Sequence, residues 1–140
     1  MSDIRNGRRV AVVGGCRTPF CKSGTVLKDL SAVDLAKHSV VELVHRANLD
    51  GKDVDEMYFG QVVPSPLTPN LAREVSLLPQ FPAHIPAASL NRACASANAA
   101  IAAGYDQIAL GHANVVIAGG AESLSDIPIL HSKRFSETLV

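Results

Sequence analysis

The sequence predicts an α/β fold, a mainly parallel sheet with helices on both faces, on three observations. Short β-branched apolar segments alternate with segments of helical periodicity along the whole chain, the order of βαβ units. The apolar segments run nearly unbroken, as strands covered on both faces do. At 140 residues and 47% hydrophobic content, the chain is long enough for one domain with a real core around one sheet.

Taken in order, Arg9 to Gly15 (Arg-Val-Ala-Val-Val-Gly-Gly) reads as a first strand buried on both faces. Residues 16–30 form a loop containing Pro19 and Gly24. Ser31 then caps an amphipathic helix in which Leu35, Val40, Val41, Leu43 and Val44 recur at helical spacing, ending near Asn48. Asp55 to Val63 is strand-like, and Pro64, Pro66 and Pro69 forbid a regular element directly after it. Asn70 to Leu78 is a short helix. After a loop marked by Pro79, Pro82 and Pro86 come an extended Ala87 to Arg92, a helix from Cys94 to about Leu110, and an apolar strand over Asn114 to Ala118. From Asp126 the composition becomes mixed and basic, as at the opening of a new region.

Thirteen basic residues against thirteen acidic ones leave a formal net charge of zero, so bulk electrostatics point neither to nucleic acid nor to an anionic membrane surface. The N-terminal stretch Met1-Ser-Asp-Ile-Arg-Asn-Gly-Arg-Arg shows no signal-peptide pattern, and no apolar run reaches the length of a membrane span. A cytoplasmic location is the expectation. Three cysteines, an odd number, suit reduced thiols better than a disulfide framework.

Cys94 is the candidate catalytic residue. It lies where an extended segment gives way to an Ala-rich helix, and a helix start offers unpaired N–H groups and the positive end of the macrodipole, both favourable to a thiolate. Small side chains at Ala95, Ala97, Ala99, Ala100, Ala102, Ala103 and Gly104 would let that helix pack closely on all sides. Strand, sharp turn with a nucleophile, then helix is the logic of a nucleophile elbow, although Gly-x-Ser-x-Gly is absent and nearby Ser96 has no glycine pair. A cysteine there suggests acyl transfer through a thioester, with backbone N–H groups holding the oxyanion. Its partner base is missing. His38 and His45 read as surface residues of the first helix, His84 as a loop residue, and His112 and His131 carry no further signal.

Cys16 and Cys21 flank Arg17-Thr-Pro-Phe20 without Cys-x-x-Cys spacing, and no zinc set is completed. No chemistry and no metal is assigned to them. Gly14-Gly15 and Gly119-Gly120 each follow an apolar strand but form no Walker or Gly-x-Gly-x-x-Gly loop, so close backbone packing is the better reading. Glu122 is either a buried polar anchor or a solvated helix cap.

Four segments in register, Arg17-Thr-Pro-Phe20, Asn70-x-Ala-Arg73, Asn91-Arg-Ala-Cys94-Ala-Ser96 and Ala118-Gly-Gly-Ala-Glu-Ser123-Leu-Ser-Asp-Ile-Pro-Ile129 with His131-Ser-Lys, resemble the thiolases. Among these they are most similar to the β-subunit type of the fatty-acid oxidation complex. The resemblance spans nearly the whole chain and implies an N-terminal half of a duplicated αβαβα fold, with residues 1–125 an incomplete N-terminal domain and 126–140 the start of a loop region that holds coenzyme A. It implies thiolytic cleavage of a 3-ketoacyl-CoA to acetyl-CoA and a shortened acyl-CoA, or the reverse Claisen condensation. Cys94 would carry the acyl group and its backbone N–H would contribute to an oxyanion hole.

Coenzyme A would be a co-substrate, with no resident cofactor, and a homodimer or tetramer and an α-subunit partner are further implications. The family pattern often has glycine where this chain has Ala97. The second half of a thiolase supplies a Gly-His-Pro histidine and a Cys-x-Gly cysteine, and neither motif occurs here. The chain alone is therefore expected to lack turnover. A ketoacyl-carrier-protein synthase shares fold and nucleophile but fits the Arg-Thr-Pro-Phe and Gly-Gly-x-Glu-Ser segments less well; a non-catalytic half-thiolase used for dimerisation or acyl binding is the third reading.

Overall fold

A computed structural model describes residues 8–138. The stretch 1–7 and the last two positions of the expected new region, 139–140, lie outside the described residues. The element order is α1 (Ala32–Ala47), a single 3-10 turn (Gly51–Asp53), β1 (Glu56–Gly60), α2 (Leu71–Ser76), β2 (Ala87–Leu90), α3 (Ser96–Ala109), β3 (Val116–Gly120) and α4 (Lys133–Thr138).

α1 begins where its cap chemistry requires. Ser31 Oγ accepts the Asp34 N–H at 3.1 Å and Asp34 Oδ2 accepts the Ser31 N–H at 3.0 Å, a reciprocal box that satisfies donors the helix leaves open. Asn48 closes the helix in the left-handed conformation at φ 48. Val33, Ala36 and Val40 face the core, while Val41, expected on the same face, is 47% exposed.

The bonds from Ser31, side chain first and then backbone, lower the Asp34 pKa below its ordinary value. A depressed folded-state pKa contributes stability that is present above the unfolded value and is lost as pH falls through the folded one. Ser31→Ala is therefore expected to cost about 1 kcal/mol near neutral pH and to flatten the loss of stability on acidification below pH ~4. Thermal melts at neutral and acid pH, wild type against variant, check both; equal acid sensitivity in the two proteins refutes the capping account.

The sheet is three-stranded and parallel, in the order β2-β1-β3. Met57 pairs with Ala87 on one side and Ile117 on the other. The chain winds from β1 outward to β2 and then back across β1 to β3. Because crossovers in a parallel sheet keep one hand, this reversal puts α2 and α3 on opposite faces. Strand alternation sorts the side chains accordingly. Met57, Phe59 and Ile117 join the core with Val33, Ala36, Val40, Leu71 and Val75 on the α1–α2 face. Gly60, Val116, Ala118 and Gly120 lie under α3.

The α/β class, the parallel sheet and both-face helices are as the sequence predicts, but three local expectations are not. Arg9 to Gly15 is no strand. Among the described residues no ladder joins it to the sheet, and Val12 and Val13 are each 91% exposed. It runs from Arg8, whose Nη1 donates to Asn114 Oδ1 at 2.8 Å, to Cys16, which lines a cavity with Gly120 at the end of β3 and Ala121 after it. A β-branched run becomes a buried strand only when a partner strand and a covering layer meet it, and neither does. At Gly14 and Gly15 the close backbone packing expected is likewise not found: a Cβ at Gly14 would make only ordinary contact with the Leu43 side chain at 3.5 Å, and nothing lies within 4 Å of one at Gly15.

α3, expected to be packed on all sides, is buried along one face only, at Ser96, Ala100 and Gly104. Among the described residues the sheet is its main neighbour, and Ala97, Ala102 and Ile101 on its other sides are exposed. Asparagine-capped α2 is braced to the following loop by Arg73, which donates to Ala83 O at 2.9 Å and Ile85 O at 3.2 Å. No described helix is long and apolar enough to cross a membrane.

Candidate active site

The carboxyl ends of the three strands meet in one region, and Cys94 stands there on the turn between β2 and α3. The expected placement is corrected by two residues. Cys94 is not the first residue of the helix: α3 starts at Ser96, with Ala95 as its N-cap and no side-chain cap bond. Cys94 is exposed, at the apex of the turn.

The turn is held in an unusual backbone state. Ala93, immediately before Cys94, sits at φ 48, a left-handed conformation costing an alanine about 1 kcal/mol or more. Side chains on either side hold it. Asn91 Oδ1 accepts the Ala93 N–H at 3.1 Å, the local bond that makes asparagine a turn former. Ser96, 3% exposed, accepts the Arg92 N–H at 2.8 Å and donates its hydroxyl to the Ala93 carbonyl at 2.6 Å. The N–H groups of Ala95 and Ser96 turn back onto Arg92 and Ala93 carbonyls.

Two glycines let this turn lie directly on the sheet. A Cβ at Gly60 would fall well under 3.0 Å from the backbone of Ser96 and Ala97, and one at Gly120 would come within 2.9 Å of the Ala97 Cβ. For Gly119-Gly120 the close-packing reading is thus correct at Gly120.

Glu122 resolves as an anchor. Its Oε2 accepts the N–H groups of Val62 at 2.8 Å and Val63 at 3.2 Å, joining the end of β3 to the end of β1. Asn91 Nδ2 donates to Val62 O at 3.0 Å, joining β1 to the turn after β2. Asn91 and Gly60 were not assigned roles from the sequence. An asparagine two residues before a sharp turn was the available signal for the first; nothing local marked the second.

The five histidines are not brought to Cys94. His38, His45, His84, His112 and His131 are all exposed; His112 Nδ1 lies 3.1 Å from Gln107 Oε1 and His131 stacks on Phe135 at 4.6 Å. Cys16 and Cys21 are free thiols lining a cavity of about 390 Å³ with Phe20, Leu35, Ser39, Gly120 and Glu122; Cys94 is not among its lining residues. Among the described residues no group of three or more metal-ligating side chains exists.

Residues 10–140 match the family described as "Thiolase, N-terminal domain". The chain is 45% identical over 136 residues to a 3-ketoacyl-CoA thiolase of Aeromonas salmonicida, covering 97% of this chain and 31% of that protein. It is 43% identical over 135 residues to the mitochondrial trifunctional enzyme subunit beta of Macaca fascicularis, covering 96% and 28%. A crystal structure of the Bacillus anthracis acetyl-CoA acetyltransferase superposes with a TM-score of 0.84 at 31% identity, over 88% of this chain and 31% of that one. The chain spans under a third of the length of these relatives. The four motif segments and the parallel sheet under the Cys94 turn carry the same assignment as the matches: this chain belongs to the thiolase family.

Proposed function

We propose that this chain supplies the nucleophile of an acyl-CoA acyltransferase, with Cys94 as the acyl-carrying residue. The observation that carries the reading is an exposed cysteine on a braced left-handed turn where three parallel strands end. Ligands of open α/β sheets meet that end, and thiolases are the relatives. In the cleavage direction the sulfur adds to the keto carbonyl of a 3-ketoacyl-CoA. The C2–C3 bond breaks, the two-carbon fragment takes a proton and leaves as acetyl-CoA, and the acyl group stays on sulfur. Coenzyme A thiol then attacks the thioester, releasing the shortened acyl-CoA and returning the cysteine. The same steps reversed are a Claisen condensation.

Ala95 and Ser96 N–H groups are committed to the turn, so the oxyanion donor assigned here is the Cys94 N–H. No histidine bonds Cys94 in this chain; the base and the second acid–base group belong, in this proposal, to sequence beyond these residues, as does most of the coenzyme A contact expected from 126 onward. An α-subunit partner follows the macaque relative's name, and a homodimer or tetramer and a cytoplasmic location are carried over as part of the proposal.

Incubation with acetyl-CoA of a protein that includes the sequence proposed to supply the base, followed by peptide mass mapping, tests it. One acetyl group is expected on Cys94, none on Cys16 or Cys21, and none in Cys94→Ala. Acetylation that persists in Cys94→Ala overturns the assignment, and loading that demands an acyl carrier protein favours the synthase reading. An unmodified wild type leaves the non-catalytic reading in its place.

A further inference from the structure

We infer that Glu122 is a positioning residue for Cys94, acting across the sheet through the Val62–Val63 peptide and Asn91; the inference rests on Cys94 being the acyl-carrying nucleophile. The bonds run in series over all three strand ends. Glu122, beyond β3, accepts the Val62 and Val63 N–H groups. Val62 O, beyond β1, accepts from Asn91 Nδ2 at 3.0 Å. Asn91, beyond β2, accepts the Ala93 N–H at 3.1 Å and so supports the left-handed residue next to Cys94.

Peptide planarity makes the series stiff. The Val62 C=O and the Val63 N–H belong to one trans peptide unit and point opposite ways. Holding that N–H on the carboxylate aims the carbonyl at Asn91. The carboxylate receives two N–H groups on one oxygen, and bonds to an ionised acceptor are about twice as strong as neutral ones. Without Glu122 the 62–63 peptide is held only by Asn91, whose outer partner can then shift, and the left-handed Ala93 keeps its Ser96 bonds but loses the firm support of Asn91. The sulfur then leaves its alignment with the Cys94 N–H.

In a protein that likewise includes the sequence proposed to supply the base, the test measures two rates at Cys94 by peptide mass mapping: acetylation by acetyl-CoA, which needs alignment, and alkylation by iodoacetamide, which needs only an accessible thiol. Glu122→Ala and Asn91→Ala are expected to slow acetylation roughly tenfold to a hundredfold, with alkylation changed by less than about threefold. Glu122→Gln, which keeps an oxygen acceptor, is expected to recover most of the acetylation rate. The double variant Glu122→Ala/Asn91→Ala should be no slower than the worse single one, because both break the same series.

Multiplying effects in the double variant, a Gln variant as slow as Ala, or acetylation and alkylation falling together would overturn the inference. Should Glu122→Ala fail to fold, as read by circular dichroism, Glu122→Gln and Asn91→Ala decide. A wild type that takes no acetyl group fails the acyl-transfer reading itself, and the positioning role with it; a wild type that is acetylated as fast as Glu122→Ala fails the positioning role alone.

Discussion

Gly60→Ala is expected to destabilise the chain by about 3 kcal/mol, at the upper end of overpacking costs, and to slow acyl loading of Cys94 in the same protein. The added methyl would enter the backbone of Ser96 and Ala97, and backbone, unlike the end of a flexible side chain, cannot rotate away. The first turn of α3 must rise from the sheet. Ser96 then loses its grip on the Arg92 N–H and the Ala93 carbonyl, so the turn that presents the sulfur loosens together with the helix. Gly104→Ala supplies the contrast: there the new methyl meets the Val116 Cγ1 at 2.9 Å, a side-chain atom rather than backbone, and a smaller loss is expected. Denaturant unfolding and the acetylation rate measure the two effects; a Gly60→Ala protein within about 0.5 kcal/mol of wild type would disprove the close approach.

Met57→Ala should cost a comparable amount of stability, about 2 to 5 kcal/mol, yet leave the acyl-loading rate of the folded protein nearly unchanged. Met57 is 0% exposed and packs with Val33, Val40 and Leu71 on the α1–α2 face, one residue parity away from the face that carries α3. Its removal opens a cavity on the face of the sheet opposite α3. Against a typical total of 5 to 15 kcal/mol the loss is large, so rates are read at a temperature where circular dichroism shows a folded chain. Met57→Leu, close in volume, should cost under about 1.5 kcal/mol. A loading rate that falls with Met57→Ala under folded conditions would show that the two faces of the sheet are coupled.

Much of this fold is legible residue by residue. Ser31 announces the start of α1 because a hydroxyl satisfies N–H groups that a helix leaves open, and Asn48 its end because asparagine tolerates the left-handed region. The proline clusters exclude regular structure because they lack the N–H that a helix or a ladder needs. Cys94 stands out because an extended segment meets an Ala-rich one beside it, although the helix opens two residues later than expected. Arg9 to Gly15 shows the limit of such reading: Val10, Val12 and Val13 have the composition of a buried strand, but composition cannot supply the neighbour that would bury them.

By itself, then, the sequence determined the order and kind of the helices and strands within residues 31–120, the Ser31 cap of α1, the parallel sheet implied by alternation, and the cysteine at the strand-to-helix turn; it did not mark the short turn at Gly51–Asp53. These depend on periodicity and hydrogen bonds that close within about four residues along the chain. Only the tertiary structure decided that Gly60 lies under α3, that the nucleophile turn is left-handed at Ala93, and that Glu122 holds Val62, sixty residues away in sequence. Contacts of that kind follow from strand register and the direction of each crossover, which bring distant backbone groups together without leaving a mark in the local sequence.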